Sequence, residues 1–190
     1  ASGVTMVDIN ADGFLDIYVT VSSQHHGLTG NNELYLNNQD GTFTETAEKY
    51  GLNFSGMGTQ AAFFDYDRDG DLDCYLLNHS QKPNSNIVDT AARRKYNPLS
   101  GDKLYRNDLS AAGRFTDVSA EAGIFQSALG YGLGIAIADM NHDGWDDIYI
   151  GNDFHENDYY YLNNGNGTFT ESGDKAFRHY SRFSMGNDIN

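Results

Sequence analysis

One nine-residue pattern occurs three times and constrains this chain more than anything else in it. The copies are Asp8-Ile9-Asn10-Ala11-Asp12-Gly13-Phe14-Leu15-Asp16, Asp65-Tyr66-Asp67-Arg68-Asp69-Gly70-Asp71-Leu72-Asp73 and Asp139-Met140-Asn141-His142-Asp143-Gly144-Trp145-Asp146-Asp147. Each reads D-x-[DN]-x-D-G-x-x-D. Oxygen side chains at positions 1, 3 and 5 converge on one cation only if the backbone curls, and the glycine at position 6 permits that turn. Position 7 (Phe14, Asp71, Trp145) varies freely, as expected of a residue that lends its carbonyl. Position 9 is Asp in every copy and closes the shell. Hard oxygen donors in this number suit calcium rather than zinc or copper, so the expectation is three Ca2+ sites. The loop at 65–73 is the richest in carboxylates and is expected to hold calcium most firmly. Asp73→Ala is expected to act in calcium and to change little in chelator.

The residues after each loop decide the fold. An EF-hand needs an acid at position 12 and a helix beyond it; here position 12 is Val19, Leu76 and Ile150. The continuations Ile17-Tyr18-Val19-Thr20, Cys74-Tyr75-Leu76-Leu77 and Ile148-Tyr149-Ile150 are strand-like. Apolar stretches also precede the loops, at 4–7, 61–64 and 135–138. Further on, residues 34–45, 104–117 and 160–171 each read as a strand, a Gly/Asn turn and a second strand, hence a hairpin. The unit is strand, loop, strand, strand, turn, strand. Its expected bounds are 3–55, 56–128 and 129–182, with a polar insertion at 78–103 in the second unit. Residues 183–190 repeat the lead-in to a loop and are expected to supply the first strand of a fourth unit. Short helical pieces ended by glycine are expected at 46–52 and 118–124.

Composition narrows the partners. Among 190 residues, 27 acids face 12 Lys and Arg, a formal charge of −15. That balance argues against nucleic acid, which needs basic surface. No apolar run approaches the roughly 20 residues of a membrane helix, so membrane insertion is not expected. The acids are 21 Asp and only 6 Glu, which favours turns and cation loops over solvated helices. A single cysteine, Cys74, excludes an internal disulfide framework; it shares its repeat position with Ile17 and Ile148 and reads as core. The histidines show no paired ligand spacing and read as loop residues. The sequons at Asn53, Asn78 and Asn166 are no more than an Asn-rich chain carries by chance.

These motifs resemble the FG-GAP repeats of integrin alpha-subunit propellers. Phe63-Phe64-Asp65-Tyr66-Asp67, Leu104-Tyr105-Arg106-Asn107 and Gly151-Asn152-Asp153-Phe154 are more similar still to secreted FG-GAP/VCBS proteins of the ASPIC/UnbV, cartilage acidic protein-like, type. The resemblance implies an all-β chain of three four-stranded blades from a β-propeller, typically of about seven blades. It implies calcium ligands at Asp8, Asn10, Asp12 and Asp16; Asp65, Asp67, Asp69 and Asp73; and Asp139, Asn141, Asp143 and Asp147. It supplies no enzymatic activity. The function expected is a non-enzymatic calcium module, extracellular, at the cell surface or periplasmic, acting in structure, adhesion or assembly with a protein or glycan partner. The alternative class is a carbohydrate-binding propeller or calcium-dependent polysaccharide lyase, with His79, His155 or a tyrosine as base. Three blades leave open edges, so the chain is expected to be a piece of a longer propeller or to associate head to tail into a homo-oligomer or fibre.

Overall fold

The computed structural model describes residues 1–83 and 90–189. Twelve short strands form three separate four-stranded antiparallel sheets. The first holds β1 (Gly3–Val7), β2 (Asp16–Thr20), β3 (Glu33–Asn37) and β4 (Phe43–Glu45), in that order. The second holds β5 (Gly58–Phe64), β6 (Asp73–Asn78), β7 (Lys103–Asp108) and β8 (Arg114–Asp117). The third holds β9 (Gly132–Ala138), β10 (Asp147–Asn152), β11 (Tyr159–Asn163) and β12 (Phe169–Glu171). The up-and-down order and the position of every predicted strand of the three units match the sequence reading. This is the architecture of FG-GAP blades of a propeller.

The blades pack face to face. One core lies between the first two sheets and joins Val7, Tyr18 and Leu34 to Ala61, Cys74 and Leu76. The other lies between the second and third and joins Tyr75, Leu77 and Leu104 to Ile148, Ile150 and Tyr161. Side chains alternate faces along a strand, so the middle blade must be apolar on both. This explains why Cys74, Tyr75, Leu76 and Leu77 of β6 are all buried and read as an unbroken apolar run, whereas β2 alternates. Each such Leu or Ile contributes about 1.5–3 kcal/mol relative to exposure. Polar ties run between blades as well: Thr5 Oγ1 donates to the Ala61 carbonyl at 2.8 Å, and Asn163 Nδ2 to that of Tyr66 at 2.9 Å.

The connections show what periodicity could not. Residues 46–52 form the expected short helix, α1 (Ala47–Tyr50), closed by Gly51 in the left-handed conformation. The piece at 118–124 is a hydrogen-bonded turn rather than a helix, with Gly123 at φ +83°. A Cβ at Gly123 would stand 2.8 Å from the Phe169 carbonyl oxygen, because Ala122 accepts the Phe169 N–H and pulls the turn onto β12. Gly123→Ala is therefore expected to cost roughly 2–4 kcal/mol, from backbone strain plus that clash, measured by chemical denaturation. Two further short helices, α2 (Leu109–Ala112) and α3 (Gly173–Ala176), follow β7 and β12.

Residues 84–89 of the expected insertion lie outside the described residues. Its remainder, including a 3-10 helix at Thr90–Arg94, reaches from the second blade to the third. Arg93 pairs with Glu156 of the third unit, while Arg94 over the Phe125 ring and the Asn97 N–H on the Gln126 carbonyl tie the insertion to the end of the second.

Residues 183–189, expected as part of the first strand of a fourth unit, make no ladder among the described residues. They nevertheless lie where a fourth blade would start. Gly186 and Asn187 sit against Gly134, and Asn187 Nδ2 donates to the Tyr149 carbonyl. This repeats the way Thr59 and Gln60 sit against Gly3. No described helix is long and apolar enough to cross a membrane.

Candidate metal centre

The three Asp loops join the first strand to the second in each blade and adopt one local structure. The first aspartate accepts two backbone N–H bonds, from positions 5 and 6: Asp8 from Asp12 and Gly13, Asp65 from Asp69 and Gly70, Asp139 from Asp143 and Gly144, all at 2.8–3.1 Å. The fifth-position aspartate accepts from position 7, so Phe14, Asp71 and Trp145 each donate a backbone N–H to it. These Asx-type bonds curl the chain. Position 6 is left-handed in each loop, at φ +87°, +98° and +93°. Position 4 is left-handed too, although Ala11, Arg68 and His142 carry side chains. A strained conformation kept three times is the kind that persists at functional loops.

The ninth position does two jobs. Asp16, Asp73 and Asp147 are fully buried. One oxygen of each accepts the N–H of position 2 (Ile9, Tyr66, Met140). The other accepts the N–H of Asn37, Asn107 or Asn163, at the end of the third strand. Those asparagines return the tie, donating Nδ2 to the carbonyls of Leu15, Leu72 and Asp146. Their supporting role was not read from the sequence, although the recurrent Asn at that hairpin position was its signal.

The loops differ in what remains unpaired. In the first and third, Asn10 and Asn141 donate Nδ2 to the fifth-position aspartate, at 3.2 and 2.8 Å, and accept a backbone N–H as well. In the second, Asp67 and Asp71 each bury an Oδ1 that has no hydrogen-bond partner. Asp65, Asp67 and Asp73 bring ligand oxygens within 4.8 Å of one another, the one such group among the described residues. Burial, with the charges of neighbouring aspartates, pushes Asp71 up to about 6 and Asp73 up to about 8. Asp67 rises for the same reasons. Crowded, partly buried carboxylates with orphaned oxygens are a donor set that fits a hard divalent cation.

A cleft of about 700 Å³ separates the first two loops and is lined by Asp8, Asn10, Asp71, Lys49 and Tyr50 among others. Between the second and third loops, Trp145 stacks on the Arg68 guanidinium at 4.5 Å.

The family-model comparison agrees with this geometry: the FG-GAP-like repeat model matches residues 8–76 and 139–188, more than half of the chain. The chain belongs to the FG-GAP-like repeat family. No curated protein matches it. The FG-GAP match covers all three Asp loops and omits the stretch that carries the insertion.

Residues outside the loops fall elsewhere. Cys74 is buried in the inter-blade core, and burial raises its thiol pKa. His79 follows the far end of β6, about 20 Å along the strand from its Asp loop. There its Nε2 lies 3.0 Å from Ser22 Oγ and its ring packs on Tyr131. Asn78 is buried with Nδ2 donated to the Gly101 carbonyl, so that sequon cannot carry a glycan in the folded chain.

A second repeated element went unread in the sequence. Asn32, Asp102 and Asp158 stand immediately before the third strand of each blade. Each accepts the backbone N–H just beyond or at the end of the second strand (Val21, Asn78, Asn152) and meets the hydroxyl of Tyr18, Tyr75 or Tyr149. The signal was an Asn or Asp two residues before Leu34, Leu104 and Tyr160.

Proposed function

We propose that this chain is a calcium-stabilised FG-GAP blade module of the extracellular space, cell surface or periplasm. It acts without catalysis, holding blades rigid for adhesion or assembly with a protein or glycan partner. The observation that carries the reading is the pair of orphaned Asp67 and Asp71 oxygens beside the Asp65–Asp67–Asp73 cluster. A divalent cation satisfies those atoms and offsets the repulsion among the carboxylates. The first and third loops, whose oxygens already bond within the loop, are weaker calcium sites. The ASPIC/UnbV-like wording of residues 63–67 and 151–154 supports placement outside the cytoplasm. Of the bases the lyase alternative could use, His79 lies at the far end of its strand from its Asp loop.

Titration calorimetry on the chelator-stripped protein tests this. The expected result is one tighter calcium event and up to two weaker ones, with magnesium binding far less well. No calcium heat, and melting temperatures equal in calcium and chelator, sink the reading.

A further inference from the structure

Arg68 turns away from the loop whose charge should hold it. It stands at position 4 of the second loop, between Asp67 and Asp69 and within three residues of Asp65 and Asp71. Among the described residues it nevertheless forms no ion pair. Its guanidinium lies over the ring of Trp145, position 7 of the third loop, 4.5 Å from the centroid. It also approaches the third loop's turn, where a Cβ on Gly144 would stand 3.6 Å from it. The Nε1 edge of the same ring lies against Gly165, where a Cβ would stand 2.9 Å away. Trp145 is thus held on its face by one loop and at its edge by its own blade's outer hairpin. The corresponding residues of the first two loops, Ala11 and Asp71, line the open cleft instead.

The stack connects two groups of oxygen donors. Asp67 and Asp69 flank Arg68, so a cation that draws their carboxylates together fixes the backbone from which Arg68 projects. That cation also repels the guanidinium and neutralises the carboxylates that would attract it. Both effects favour the arginine on Trp145 over the arginine on its own loop. Trp145 in turn occupies the position that lends its carbonyl to the third site, and its N–H already donates to Asp143. A ring immobilised beforehand leaves less of the third loop to be ordered when an ion arrives, which raises affinity. The guanidinium charge opposes that gain, but Arg68 is exposed and unpaired, so solvent and salt screen it.

We propose that the Arg68–Trp145 stack is a joint through which calcium in the second loop orders the third and strengthens its site. An exposed cation–π contact is worth about a two- to fivefold change in affinity. The joint rests on the calcium reading of the loops and adds to it an order of filling, second loop before third, with the first loop independent.

Trp145 is the single tryptophan of the chain, so its fluorescence reports the joint directly. A calcium titration of the chelator-stripped protein, followed by fluorescence and in parallel by calorimetry, tests it. The emission should change at the calcium level of the tighter calorimetric event, and again as the third loop fills. Asp67→Ala should abolish the early change. Arg68→Ala should abolish it too, yet keep the tighter calorimetric event and the calcium-dependent melting shift, because Arg68 is not a ligand. In both variants the later fluorescence transition should move to about two- to fivefold higher calcium. Ala11 already holds the same position in the first loop, so the Arg68→Ala chain folds, which circular dichroism verifies. An early change that survives in Arg68→Ala, or a later transition that stays in place or moves to lower calcium, overturns the joint. A calcium-dependent melting shift without any early tryptophan response overturns the joint alone. Absence of both calcium heat and a melting shift overturns the calcium reading and the joint with it.

Discussion

Asp67→Ala should erase the calcium-dependent stability of the second loop and leave the chelated protein no less stable. At free calcium 100-fold above its dissociation constant, one site contributes about 2.7 kcal/mol. For a chain of this size that corresponds to roughly 5–10 °C in melting temperature. Asp67 Oδ1 has no partner in the protein, and the Asp69 N–H beside its carboxylate also bonds Asp65, so truncation strands no donor and removes one charge from a crowded loop. Asp73→Ala should behave differently, against the expectation from sequence that it acts only in calcium. Its two oxygens accept the N–H groups of Tyr66 and Asn107. Deleting them leaves two buried donors unpaired, at about 1–3 kcal/mol each, whether or not calcium is present. Thermal melts of both variants in calcium and in chelator separate a ligand from a ligand that is also a strand tie. Identical behaviour of the two variants in chelator refutes that assignment.

Asp102→Asn should stabilise the protein above neutral pH and do nothing near pH 4. Burial pushes the Asp102 carboxyl from 3.8 up to about 7, outweighing the Asn78 N–H and Tyr75 hydroxyl that favour its charged form. A carboxyl raised on folding binds its proton more tightly in the native state. Its contribution is therefore fully present below the unfolded value near pH 4 and is lost as pH rises through about 7. The loss is on the order of 2–4 kcal/mol at pH 8. Asparagine escapes this titration and has a precedent in the same molecule. At the matching position Asn32 accepts the Val21 N–H and donates to the Tyr18 hydroxyl, at 2.8 and 2.9 Å. Denaturation curves of the two proteins from pH 4 to 8.5 should start together and diverge. Parallel curves would show that Asp102 titrates in its ordinary range.

The repeat made much of this protein legible before any coordinates. Loop, strand and hairpin arise from local chemistry: aspartates that bond nearby N–H groups, a glycine where φ is positive, alternation where a sheet is half-buried. The unbroken apolar run of Cys74-Tyr75-Leu76-Leu77 was readable as strand but not as a middle blade, because burial on both faces is a property of neighbours. The missed residues have one physical reason in common. Asn107 and Asp102 act on partners 34 and 24 residues away, and no spacing rule reaches across a hairpin or an insertion.

The amino-acid order alone determined three β units, the nine-residue loops and the oxygen donors each loop presents, because those depend on bonds within a few residues. Only the tertiary structure decided which loop leaves carboxylate oxygens without partners and which aspartate also braces two strands. It alone revealed that the second blade is packed on both faces. Each of these is set by what packs against a residue from elsewhere in the chain, and burial turns the same Asp or Val from a solvated side chain into a ligand, a tie or a core residue.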